Sequence, residues 1–166
     1  MNGESVCEVM LRAYKDIDAM LEKLEERSLQ VGLRSINIDV WEAIKKIERI
    51  NSEMTAYCIV QDIVEQALQD SKELEDYYFR GKQFCEIAKA EKMPERKVQY
   101  KIEKQRAQFY KNVLDRYSKA ELVNIISPSK WLINMYNRRI KQADSDKRVH
   151  KVYITVQKYK TAQNGK

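Results

Sequence analysis

The stretch FCEIAKAEKMPERKVQYKI, residues 84–102, decides the fold. It is helical in composition, broken once by Pro94, and strongly basic after the break. Pro94 fixes its own φ and disfavours helix at the residue before it, so one helix ends near residue 91 and another starts near 95. Ala88 is small, as a close helix crossing requires, and Met93 is an apolar residue placed inside the turn. A short helix over 83–91, a tight turn with an apolar plug and a basic helix over 95–113 make a helix-turn-helix pattern.

The helix after the break has two unlike faces. Val98, Ile102, Phe109 and Val113, with Gln105 between them, recur at helical spacing and predict a buried stripe. Arg96, Tyr100 and Lys104 lie opposite, flanked by Lys97 and Lys101 on one side and Gln99 on the other. Arg and Gln have the donor and acceptor geometry to read base edges in a major groove, whereas lysines neutralise phosphates. Arg96, Lys97, Gln99 and Tyr100 are the expected base contacts. Lys82, Lys101 and Lys104 are the expected phosphate contacts, with Arg80 a weaker one.

Working outward, Val6, Met10, Ala13, Ile17, Met20 and Leu24 form a heptad-like seam within a helix over 4–27. The seam suits a neighbouring helix of the same chain somewhat better than a dimer. A break is expected around Gly32. Asp39 and Glu42 form a capping pattern for a second helix carrying Trp41, Ile44, Ile47, Met54, Tyr57, Ile63 and Val64. Together these make an antiparallel hairpin. Ser71 is placed to cap a helix over 72–80, which Gly81 ends. Ser118 with Glu121 opens another helix, and Ser127 with Pro128 a last one carrying Trp131, Leu132, Met135 and Tyr136. The tail VHKVYITVQKYK alternates like a strand but has no partner strand in the chain.

Residues 78–84, YFRGKQF, followed by Glu86-Ile87-Ala88 and then Lys97-Val98-Gln99, resemble region four of sigma factors. The similarity covers residues 54–114. Met93-Pro94 stands where the family has Ile-Ser, Glu91 replaces an apolar residue, and Lys92 occupies the place of a turn glycine. The resemblance implies a DNA-binding helix-turn-helix with contact to RNA polymerase. The wider layout is similar to phage and mobile-element regulators of the ArpU or RinA kind, which activate late transcription. No segment resembles the promoter-melting region of a whole sigma factor.

The expected fold is all-α. It comprises an acidic helical hairpin over 1–53, a sigma-region-four-like helix-turn-helix unit over 54–117, and a basic helical extension over 118–166 whose alternating tail is open to four readings: a short strand, a helix, disorder, or a strand paired across a dimer. Charge follows this division. Residues 1–79 hold 9 basic and 17 acidic side chains, residues 80–116 hold 11 and 5, and residues 130–166 hold 10 and 2. A chain so divided attracts polyanions at one end and repels them at the other.

Three scattered cysteines and one histidine, His150, build neither a zinc site nor a catalytic triad. Each cysteine reads as a small apolar filler. No cofactor, metal or enzymatic activity is expected, and no apolar run is long enough to span a membrane. A cytoplasmic regulator binding double-stranded DNA is the leading expectation, with RNA polymerase and a second copy as further partners. Lys147, Arg148, Lys151, Lys158 and Lys160 of the tail would add phosphate contacts. A ring-forming DNA-binding oligomer like a phage terminase small subunit is one alternative. A helical protein-interaction module using the 6–24 seam and the aromatics Trp131 and Tyr136 is another.

Overall fold

The computed structural model describes residues 3–34, 39–69 and 71–142, and every regular element among them is a helix. In chain order these are α1 (Gly3–Arg34), α2 (Val40–Ala67), α3 (Lys72–Tyr78), α4 (Phe84–Ala90), α5 (Glu95–Leu114) and α6 (Lys119–Ile126), followed by α7 over 130–142. The alternating tail stretch, His150 and the five tail cations named above lie outside the described residues.

α1 and α2 form the expected antiparallel hairpin. Tyr14 donates to Glu65 at 2.9 Å and Gln61 donates to Asp18 at 2.6 Å, so the pairing runs in opposite directions along the two helices. Val6, Met10, Ala13, Ile17 and Leu24 of the seam are buried inside the chain. Each large apolar side chain so buried contributes on the order of 1.5–3 kcal/mol. Gly32 does not break α1, which runs through it to Arg34. A lone glycine costs a helix only about 1 kcal/mol, and Val31 beside it packs on the core. At the far end of the hairpin, Leu29, Leu33, Val40, Trp41 and Ile44 are exposed, Trp41 by 70%. Trp41 and Ile44 therefore stand outside the core that Tyr57, Ile63 and Val64 of the same helix enter.

The helix ends follow local chemistry with three departures. Asp39 caps α2 by accepting the Trp41 N–H at 3.1 Å, while Glu42 pairs with Lys46 at 2.7 Å instead of completing a box. Ser71 occupies the first cap position of α3, yet its hydroxyl makes no cap bond. The α3 donor at Leu74 is met from another helix, by Gln105 Oε1 at 3.0 Å. α7 is capped by Ser129 rather than Ser127, its Oγ accepting the Leu132 N–H at 3.2 Å. Ser129 also bonds the buried Tyr57 hydroxyl at 2.9 Å, and Tyr57 donates onward to Glu53 at 3.0 Å. Burial, with the Glu53 carboxylate adding to it, pushes the Tyr57 phenol up to about 12. The Ser118–Glu121 box forms as expected, the Glu121 side chain accepting the Ser118 N–H at 2.7 Å.

The expected division into three segments does not correspond to breaks in the packing. The boundary at 53/54 falls inside α2, which is continuous. Leu122, Ile126 and Leu132, in the segment expected to be an extension, belong to the same buried cluster as α1, α2 and α5. Trp131 packs edge-on against Tyr57, centroids 5.9 Å apart, and Tyr136 is buried, so this aromatic pair serves the core. Glu8 on α1 ties the hairpin to α3 and α5. It is only 1% exposed and accepts from Arg12 Nε at 2.6 Å, from Tyr78 at 2.9 Å and from Tyr110.

Candidate nucleic-acid interface

α4 and α5 are joined by Glu91, Lys92, Met93 and Pro94. The end of α4 is built like a Schellman motif. The Met93 N–H bonds the Ala88 carbonyl at 3.1 Å, and the Lys92 N–H reaches the Lys89 carbonyl at 3.4 Å. Lys92 takes φ +50°, the left-handed conformation that the missing glycine would adopt freely. Met93, the next residue, packs against the core beside buried Ile87 and Ala88. Gly81, before α4, also has positive φ, +66°. The Lys82 N–H then turns back to the Asp76 carbonyl at 3.0 Å. Glu86 steadies the start of α4 by accepting the Gln83 N–H at 2.7 Å. Two left-handed turns thus bracket a seven-residue helix and set the start of α5.

α5 is anchored as its sequence pattern requires. Val98, Ile102, Phe109 and Val113 are all buried. Arg96, Lys97, Tyr100 and Lys104 are exposed on the outward side, Tyr100 by 68%, and none of these three cations makes an ion pair among the described residues. Gln99 is half-buried at the edge.

The other expected phosphate contacts are held differently. Lys101 Nζ lies 2.7 Å from Glu73 Oε1, Lys82 Nζ lies 3.0 Å from Asp76 Oδ2, and Arg80 Nη1 lies 2.9 Å from Asp76 Oδ1. Glu73 and Asp76 are buried carboxylates on α3, and a buried charge requires a partner. Part of the charge that looks free along the chain is therefore neutralised in space. Burial pushes the Glu73 carboxyl up, but hydrogen bonds from Lys101 and Gln105 together outweigh it, and the net shift is downward.

Three exposed cations extend the surface beyond the residues named from sequence. Lys89 and Lys92 stand at the turn before α5, and Lys111 continues the outward row from Lys104 by seven residues. The KAEK run before Pro94 and the seven-residue spacing were the available signals. Glu103, also exposed, shares the side of Arg96 and Gln99 and places one negative charge there. Of the cysteines, Cys7 is a buried filler, its thiol pushed by burial up to about 12, whereas Cys58 is exposed and fills nothing. Among the described residues no cluster of three His, Cys, Asp or Glu side chains is placed to hold a metal ion, and no helix is long and apolar enough to cross a membrane.

Comparison of the chain with protein-family models, with curated proteins and with solved structures finds no match.

Proposed function

We propose that this chain is a sequence-specific DNA-binding transcriptional regulator that places α5 in the major groove of double-stranded DNA. One observation carries the reading. An α-helix entered through a left-handed turn buries one flank completely and turns an unpaired cationic flank, Arg96, Lys97 and Lys104 around exposed Tyr100, to solvent. Arg96, Lys97, Gln99 and Tyr100 are the groups for base edges, with Lys104 for phosphate. Lys101 and Lys82 belong first to their α3 carboxylates and supply less. The resemblance of residues 54–114 to sigma region four agrees with a regulator in the cytoplasm that acts beside RNA polymerase.

The test is selection of bound sequences from a random duplex pool, followed by variants. A single enriched motif is expected. Arg96→Ala should flatten preference at one base pair by roughly 1–3 kcal/mol. Lys104→Ala should weaken all sequences alike and lower the salt slope by about one. Binding without enrichment, or no salt-dependent binding, would remove the proposal.

The exposed apolar end of the hairpin favours an added protein contact, either polymerase or a second copy. Sedimentation of wild type and Trp41→Ser separates these. A self-association lost in the variant identifies the second copy, and a larger closed ring would favour the terminase-like alternative.

A further inference from the structure

Towards the far end of the hairpin a groove of about 390 Å3 opens between α1 and α2, within the size range of ligand sites. Arg27 and Arg34 of α1 and Lys46 and Arg49 of α2 line it, together with half-buried Val31 and buried Ile50. We propose that this groove binds a compact anion of two or more linked phosphates, held by the guanidinium groups of Arg27, Arg34 and Arg49.

The gathering of charge is the observation that points to a ligand. Residues 1–79 hold 9 basic and 17 acidic side chains. Four of those nine cations line this one groove, and among the described residues none of the acids does. The antiparallel pairing that sets Tyr14 by Glu65 and Asp18 by Gln61 also sets Arg49 level with Gln30 and Lys46 near the level of Arg34. Like charges drawn together repel, and an anion between them removes that cost. Lys46 already has Glu42 at 2.7 Å, and Gln30 reaches Glu26 at 3.4 Å. Arg27, Arg34 and Arg49 are exposed and make no ion pair or side-chain hydrogen bond among the described residues.

Three unpaired guanidiniums define the chemistry. Each offers a planar fork of N–H donors that matches the oxygens of a phosphate. Three positive charges suit linked phosphates better than a single one. Size follows from the surroundings. Glu25, Glu26, Glu42 and Glu48 are exposed on the same stretches of the two helices and repel an extended polyanion such as a duplex or an anionic bilayer. An anion small enough to sit inside the groove meets the arginines first. The site shares no residue with α5 and does not depend on the DNA-binding reading.

The test is a 15N–1H NMR titration of the full chain with sodium pyrophosphate, at constant ionic strength and without divalent cations. Inorganic monophosphate and citrate are the comparators. Saturable shifts are expected at Arg27, Gln30, Val31, Arg49 and Ile50, with a Kd on the order of 0.1 mM, and both comparators should bind at least about tenfold more weakly. Arg27→Gln and Arg49→Gln should each weaken pyrophosphate by about tenfold. Lys45→Gln removes the same charge from a residue beside the groove that does not line it, and should change little. The double variant Arg27→Gln with Arg49→Gln should leave duplex DNA affinity unchanged. The proposal is overturned if pyrophosphate does not saturate at these amides, if a comparator binds there equally well, or if Lys45→Gln weakens binding as much as the arginine variants do. It also falls if the double variant loses duplex affinity, or if vesicles of equal phosphatidylcholine and phosphatidylserine engage these amides and pyrophosphate does not, since the occupant would then be an extended phosphate surface.

Discussion

Lys101 Nζ stands 2.7 Å from Glu73 Oε1, while Gln105 Nε2 donates to the other oxygen of the same carboxylate at 2.8 Å. Two residues one turn apart on α5 thus grip one buried acid on α3. This grip sets the rotation of α5 about its axis. With the apolar stripe holding the opposite flank, Arg96, Tyr100 and Lys104 can point only outward.

Lys101 is therefore expected to act in stability more than in DNA affinity. Lys101→Ala should destabilise the fold by about 1–2 kcal/mol, a value discounted because the lysine is partly exposed. Lys104→Ala should leave stability within about 0.5 kcal/mol of wild type. Urea denaturation of both variants checks the contrast. Equal stability for the two would contradict this role for the Lys101–Glu73 pair.

The cap of α3 comes from across an interface. Gln105→Ala removes the acceptor for the Leu74 N–H and a donor to Glu73 together, and should cost about 1–3 kcal/mol. Ser71→Ala removes a hydroxyl that caps nothing and should be neutral or stabilising by up to about 1 kcal/mol. Thermal melts that ranked the two variants in the opposite order would show Ser71 to be the working cap.

Lys92 holds a left-handed conformation at φ +50° in the turn before α5. Lys92→Gly should stabilise the protein by about 1 kcal/mol by relieving steric strain at Cβ. Lys92→Val should lose more than that, since a branched side chain tolerates this region worst. Matched melting curves for the pair provide the check. A destabilising glycine would mean that the strain is negligible.

Glu8 joins the hairpin to α3 and α5. Glu8→Ala leaves the Tyr78 and Tyr110 hydroxyls short of their acceptor and should cost about 3–5 kcal/mol. Tyr110→Phe, which removes a single donor, should cost about 1–2 kcal/mol. If hairpin and α5 unfolded in separate transitions in wild type, the single core described above would be refuted.

Stability should fall at both ends of the pH scale. The Glu73 carboxyl is lowered from 4.5 by folding, so its contribution is complete above the unfolded value and is lost as pH falls through the folded one. Glu73→Gln should therefore flatten the acid limb below about pH 5. Tyr78 is pushed up to about 12, by burial first and then by the Glu8 charge, and Tyr110 is raised further for the same reasons. Here the folded state keeps protons that the unfolded state releases, so stability declines as pH rises above 10. Tyr110→Phe should soften that alkaline loss. Denaturant midpoints across pH measure both limbs, and a flat alkaline limb in wild type would contradict the burial of these phenols.

Much of this was legible along the chain. Periodicity placed the helices because a buried stripe repeats with the helical turn, and it picked out Val98, Ile102, Phe109 and Val113 as the anchored flank of α5. Gly81 and the Ser118–Glu121 box were also legible, since each is decided by a few adjacent residues, whereas the left-handed turn at Lys92 was suggested only by the resemblance, which has a glycine there. Misreadings arose where partners are distant in sequence. Ser71 yielded its cap to Gln105, 34 positions away. Ser127 yielded to Ser129, which Tyr57 engages from α2. Lys101 read as a free cation because Glu73 belongs to another helix, and Lys82 because the turn at Gly81 folds its loop back onto Asp76.

The sequence alone determined that the described chain is helical, where most helices begin and end, and which side of α5 is apolar. Those properties arise from backbone preferences and side-chain spacing within a few turns. Tertiary structure decided which charges remain available and that hairpin and α5 share one core around Glu8. A charge is spent or free only according to what burial brings within about 3 Å of it, and no local pattern encodes that distance.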